Sequence, residues 1–140
     1  MPQAFNKFNS LVEALAEKVH NLGADTLKVM LTNTAPSASN TVKADITEIS
    51  AGNGYTAGGT AATISSSSQT SGTYKLVLAD VVFTASGGSI GPFRYAVLYN
   101  DTATSDELIG YWDYGSSITL ASGETFTVDF DATNGVLTLA

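Results

Sequence analysis

The sequence predicts a mainly all-β protein, an antiparallel β-sandwich or jelly roll with one N-terminal helix. Three features lead there. Apolar residues recur every three or four positions only over residues 5–22, and after Gly23 they recur at every second position. Short apolar runs are separated throughout by Gly, Ser and Asn breaks, without the long helices a parallel α/β sheet needs between its strands. Ser, Thr and Gly make up 46 of the 140 residues and charged residues only 14%, which suits a β surface of small polar side chains. No period of about 20 to 50 residues recurs, so a solenoid or propeller is not supported.

Phe5, Phe8, Leu11, Val12, Leu15, Val19 and Leu22 make one apolar stripe on a helix. Ser10 followed by Glu13 has the capping-box form, so the helix proper is expected to start near Ser10. Asn21 or Gly23 is expected to end it in a left-handed conformation. Phe5 and Phe8 then lie on an arm ahead of the helix. Residues 1–23 are thus read as an arm and amphipathic helix, and 24–140 as a single β-sandwich domain. The length fits one domain that buries about two-thirds of its unfolded surface.

Leu27, Val29 and Leu31 alternate with Lys28, Met30 and Thr32, the pattern of a half-buried strand. Residues 33–40, with Pro36, read as a loop, and a short strand is expected at 46–49. Gly52-Asn53-Gly54 and Gly58-Gly59 bracket Tyr55, and 60–69 is polar but β-compatible. Strands over 74–79 and 81–84 are separated by Asp80, where the chain is expected to bend or bulge. Glycines and Pro92 punctuate residues 86–92, and the apolar run 94–99 is typical of a central strand. A polar loop at 100–107 leads to strands at 108–112 and 118–120. Phe126, Val128 and Phe130 alternate with Thr125, Thr127, Asp129 and Asp131, and 136–139 closes the chain. Asn134-Gly135 predicts a type I′ hairpin between those last two strands, because that turn wants positive φ at both central residues.

The net charge is −7, and it gathers in the second half, where only Lys75 and Arg94 face eight carboxylates. A nucleic-acid partner is not expected, since six scattered cations cannot displace the counterions of a phosphate backbone. Nor is a membrane partner: the acidity argues against anionic lipid, and the longest apolar stretch is far short of the ~20 residues a spanning helix requires. The N-terminus lacks the basic and apolar regions of a secretory signal, which leads to the expectation of a soluble protein made in a cytoplasm. Without cysteine there is no disulfide scaffold, thiol nucleophile or cysteine zinc site.

His20 is the sole histidine, so any Ser-His-Asp arrangement must use it, yet a capping or packing role at the helix end accounts for it. A zinc site of two or three histidines is excluded by count, and no metal or cofactor is expected. Asp129 and Asp131 lie two apart on a predicted strand and face one side, and Asp113 sits between Trp112 and Tyr114. A glycosidase would need such carboxylates in a pair flanking the bond, but solvent-facing positions on half-buried strands explain them without catalysis. Tyr111, Trp112 and Tyr114 are candidates for a sugar platform, against ordinary packing at the core rim. The segment 129–135 superficially matches a calcium loop, but its glycine is at the seventh position and Ala140 stands at the twelfth. Gly52 to Gly59 fails as a phosphate cradle, since no helix or P-loop lysine follows. Asn100-Asp101-Thr102 fits a glycosylation sequon, which has little meaning without a secretory signal.

Phe5-Asn6-Lys7-Phe8-Asn9, Val19-His20-Asn21-Leu22-Gly23, Leu27-Lys28-Val29-Met30-Leu31-Thr32-Asn33, Asp45-Ile46-Thr47-Glu48-Ile49, Gly52-Asn53-Gly54-Tyr55-Thr56 and Gly91-Pro92-Phe93-Arg94-Tyr95-Ala96-Val97-Leu98-Tyr99 together carry a resemblance. Over nearly the whole chain the sequence resembles small virion proteins of tailed bacteriophages, and within that class it is most similar to capsid cement, or decoration, proteins. The resemblance implies a jelly-roll-like domain that binds the outer face of the major capsid shell and carries no catalytic motif. It implies the major capsid protein as partner, with self-association into dimers or trimers on the shell, and a virion location after synthesis in the bacterial host cytoplasm. Tail-tube, tail-tip and head-fibre roles belong to the same class. The expected capsid contacts are a strand edge and the arm residues Phe5, Lys7, Phe8 and Leu11. The alternative, a tail or head-fibre sugar binder, would use Tyr111, Trp112 and Tyr114.

Overall fold

The computed structural model describes residues 3–140. In chain order its elements are β1 (Asn6–Lys7), α1 (Leu11–Ala16), β2 (Leu27–Thr32), β3 (Thr60–Ala62), β4 (Ile64–Thr70) and β5 (Thr73–Leu78). There follow β6 (Val81–Thr84), β7 (Ile90–Asn100), β8 (Leu108–Leu120), β9 (Thr125–Val128) and β10 (Leu137–Leu139). They form an all-β antiparallel sandwich with one short helix, as the alternating pattern predicts. One sheet has the order β1-β8-β7-β2-β3; against it lie a three-stranded sheet, β10-β5-β4, and a two-stranded one, β6-β9.

Strand β2 shows why the large sheet is central. Leu27, Val29 and Leu31 are fully buried in the main core with Leu76, Leu78, Phe83 and Phe93. Met30, on the other face, is equally buried in a second cluster with Phe8, Val97, Tyr99 and Leu108. Both faces of the sheet are therefore covered, which is why 94–99 reads as a continuous apolar run. Each large side chain so buried contributes about 1.5–3 kcal/mol.

The helix is shorter than its apolar stripe predicts. Only Leu11 and Ala14 of α1 are buried; Ser10 makes no side-chain cap bond, and Lys18 at φ 66° turns the chain well before Asn21. Val12 and Val19 stay exposed; at this end of the main core Leu11 is joined by Leu15, packed against it, and by Leu22, which the following turn brings back into it. Residues 46–49 are no strand, since Asp45 Oδ2 accepts the Thr41 and Val42 amides and commits the chain to a tight turn, leaving one bridge from Glu48 to Thr32. The expected strands 108–112 and 118–120 are one strand, β8, paired along β7 with register shifts that also absorb Gly91 and Pro92.

The expected C-terminal hairpin is replaced by a crossover. β9 pairs with β6, while β10 pairs with β5 in the other small sheet. Asp131 Oδ1 accepts the Thr133 and Asn134 amides at 2.9 and 2.8 Å, and the Gly135 amide bonds to the Asp131 carbonyl. This side-chain-to-backbone turn outcompetes a two-residue loop and carries the chain between sheets. The bend expected at Asp80 is present; its Oδ1 accepts the Phe130 amide at 2.9 Å where β5 gives way to β6.

Candidate functional site

Strand β1 threads along the edge of the large sheet, pairing Asn6 with Tyr111 and Lys7 with Gly110. Two residues of strand put Phe5 on one face and Phe8 on the other. The Phe5 ring lies 5.4 Å from Trp112 on the core side, and Phe8 lies 5.3 Å from Tyr111 on the opposite side. Phe8 is fully buried and Leu11 nearly so, both within their own chain. The free arm is thereby corrected: Phe8 and Leu11 are core residues, Phe5 is half-buried, and of the four only Lys7 is exposed.

The same alternation splits the aromatic trio. Trp112 and Tyr114 line one pocket of about 390 Å³ together with Phe126, Arg94, Asp80 and Asp129, whereas Tyr111 lies on the far face of the sheet against Phe8 and Tyr95. Trp112 is half-buried, with Phe130 edge-on at 5.4 Å; Tyr114 is 46% exposed. Arg94 holds Asp113 in a two-pronged pair, Nε to Oδ1 at 2.7 Å and Nη2 to Oδ2 at 3.0 Å. That guanidinium keeps the Asp113 carboxyl below its usual range, so it stands as an anion paired in structure. Asp129 and Asp131 do not share a strand face, because β9 ends at Val128 and Asp131 is spent on its turn. Backbone bonds from Asn134 lower the Asp131 carboxyl in turn.

His20 is buried beyond the helix, at the base of a groove of about 740 Å³. Asn100 organises this region. Its Oδ1 accepts the Thr102 and Ala103 amides, so its Nδ2 donates to Asp25 Oδ2 at 2.7 Å and to His20 Nδ1 at 3.0 Å. Burial lowers the His20 pKa against the pull of Glu107 and Asp25. The packing role expected of His20 is what the structure displays. Among the described residues no group of three or more His, Asp or Glu is placed to hold a metal, and no helix is long and apolar enough to cross a membrane.

Strand β4 is a feature whose importance residue-by-residue reading missed. It is the outer strand of its sheet and, at seven residues, the longest of the outermost strands; β1, β3, β6, β9 and β10 have two to four each. Residues 49–74 contain no charged side chain, so this edge lacks the lysines, glutamates and prolines with which sheet edges are usually guarded. A register shift between Ile64 and Ser66 bulges its start, leaving 66–70 regular. The hairpin from β4 to β5 then projects, with residues 68–73 all exposed. The signal was present as an uncharged, serine-rich β segment, but only the topology reveals that it lies at an edge.

No protein-family model matches the chain, and neither a curated protein nor a solved structure matches it.

Proposed function

We propose that the protein is a structural virion protein that binds the outer surface of a phage capsid and cements neighbouring major capsid subunits. The observation that carries this reading is the β4 edge: a long, charge-free row of free backbone donors and acceptors suits a chain that joins an assembly. The sequence resemblance supplies the assembly. Cementing needs no reaction, only buried contacts repeated by symmetry, so that modest interfaces gain through multivalency. A protein that binds the closed shell and not its separated parts stabilises the shell by mass action. The test mixes purified protein with matching capsids that lack it, and records cosedimentation and the temperature of genome release. Stoichiometric binding with a raised release temperature is expected; absence of binding to heads would overturn the reading.

A second reading, a tail or head-fibre virion protein with a carbohydrate-binding sandwich, draws on the pocket that Trp112 and Tyr114 share with Arg94 and Asp129. Aromatic faces beside charged hydrogen-bonding groups suit a sugar ring. Binding on a glycan array that is lost in Tyr114→Ala would favour it.

A further inference from the structure

We infer that two copies of this chain pair β4 to β4 about a two-fold axis at Ser68, continuing the three-stranded sheets into one of six strands. The inference rests on the reading of β4 as an assembly edge, and it names the partner there.

The backbone fixes which groups are on offer. Ser71 and Gly72, at φ 52° and 83°, form the two-residue loop between β4 and β5, with Thr70 opposite Thr73. In such a loop the closing pair exchanges both hydrogen bonds, and bonded and non-bonded pairs then alternate along the ladder. Thr70, Ser68 and Ser66 therefore spend their amides and carbonyls on β5. Gln69 and Ser67, opposite Tyr74 and Leu76, point theirs outward. The polarity of β5 agrees, since the Leu76 carbonyl accepts from Val136 on the side away from β4.

An antiparallel partner must use Ser67 and Gln69. Within the regular stretch 66–70, a second copy does so reciprocally when Ser67 of one faces Gln69 of the other, which makes four bonds and puts Ser68 opposite Ser68. This register avoids the bulge at Ser65 and is closed by its own symmetry. It opposes only Ser, Thr and Gln, so the −7 charge of each chain is kept off the ladder. Within the β4–β5 ladder the nearest charge is Lys75, paired with Ser68 on β5. The two copies of Lys75 would stand three strand spacings, about 14 Å, apart, beyond a Debye length of about 8 Å.

The dimer would present two identical capsid-binding surfaces, a bivalent cement. Sedimentation velocity over a concentration series tests it, with a mass of about 29 kDa expected, twice the 14.5 kDa chain. Ser67→Pro removes an amide that has no partner within the monomer, so it is expected to fold and sediment as a single chain. Ser68→Lys, which sets like charges against each other at the axis, gives a second route to the same result. Because the chain has no cysteine, Ser68→Cys gives a clean cross-link. Non-bonded pairs bring Cα atoms to about 4.5 Å, within disulfide reach, whereas the two copies of Ser66→Cys would be about 14 Å apart and stay reduced. Wild-type protein that remains monomeric, a dimer that both Ser67→Pro and Ser68→Lys leave intact, or cross-linking at 66 instead of 68 would overturn the pairing. A monomer that still binds capsids would remove the pairing and leave the cement reading standing. A two-fold dimer that binds no capsid would do the reverse.

Discussion

The Tyr55 hydroxyl donates to Glu48 Oε2 at 2.6 Å and accepts the Leu31 amide at 3.0 Å, tying the glycine-rich loop to the central sheet. Glu48 also accepts the Gly58 amide at 2.7 Å, and Tyr99 donates to the Gly58 carbonyl. Burial, with the Glu48 carboxylate beside it, pushes the Tyr55 phenol far above its ordinary pKa, so it serves as a neutral donor and acceptor. Tyr55→Phe keeps the ring but leaves the fully buried Leu31 amide unpaired. A loss of about 1–3 kcal/mol is expected, measured by chemical denaturation.

Gly110 marks where the N-terminal strand is welded on. A Cβ there would run into the Phe5 ring and come within 3.0 Å of the Asn6 carbonyl oxygen. Gly110→Ala is therefore expected to lift Phe5 from Trp112 at a cost of about 1–3 kcal/mol, without loss of the sandwich. Trp112 is the sole tryptophan, so its fluorescence reports the change directly. A red-shifted emission with lowered stability is the expected pair of results.

Much of the fold was legible: period-two alternation located β2 and β9, a continuous apolar run located β7, and Asp80 between two apolar segments marked a bend. Alternation could also have divided Tyr111 from Trp112, since neighbours on a strand face opposite ways. What it could not reveal was long-range pairing. Asn134-Gly135 has the composition of a hairpin, yet Asp131 redirects the turn and β10 finds β5, about 60 residues earlier in the chain. The phenylalanine stripe likewise fits a docking arm as well as a core helix. Only the pairing of Asn6 with Tyr111 reveals that Phe8 is internal.

The buried His20 makes stability depend on pH. Its Nδ1 accepts from Asn100, which places the ring proton on Nε2 and leaves no room for a second proton without breaking that bond. Burial sets the folded pKa below the ordinary 6.5. Between the two values the unfolded chain binds more protons, so the stability is fully present above about pH 6.5 and is lost as pH falls toward the folded value. The slope from this group is at most about 1.4 kcal/mol per pH unit. Denaturation curves between pH 5 and 7.5, ranges chosen as roughly spanning the histidine titration, are expected to show it in wild type and not in His20→Gln.

Trp112 and Tyr114 share a pocket but are expected to respond differently to truncation. Trp112 is packed by Phe5 on one side and Phe130 on another, so Trp112→Ala removes a support of the core rim and is expected to cost about 3 kcal/mol or more. Tyr114 is 46% exposed and touches Phe126 edge-on at 5.5 Å, so Tyr114→Ala is expected to cost about 1 kcal/mol or less. A binding defect in Trp112→Ala alone is thus what a loosened rim produces in any ligand assay. Sugar affinity lost in Tyr114→Ala, with the melting temperature nearly unchanged, is the result that separates a glycan site from a packed corner. Equal melting losses in the two variants would contradict the division of labour drawn from their burial.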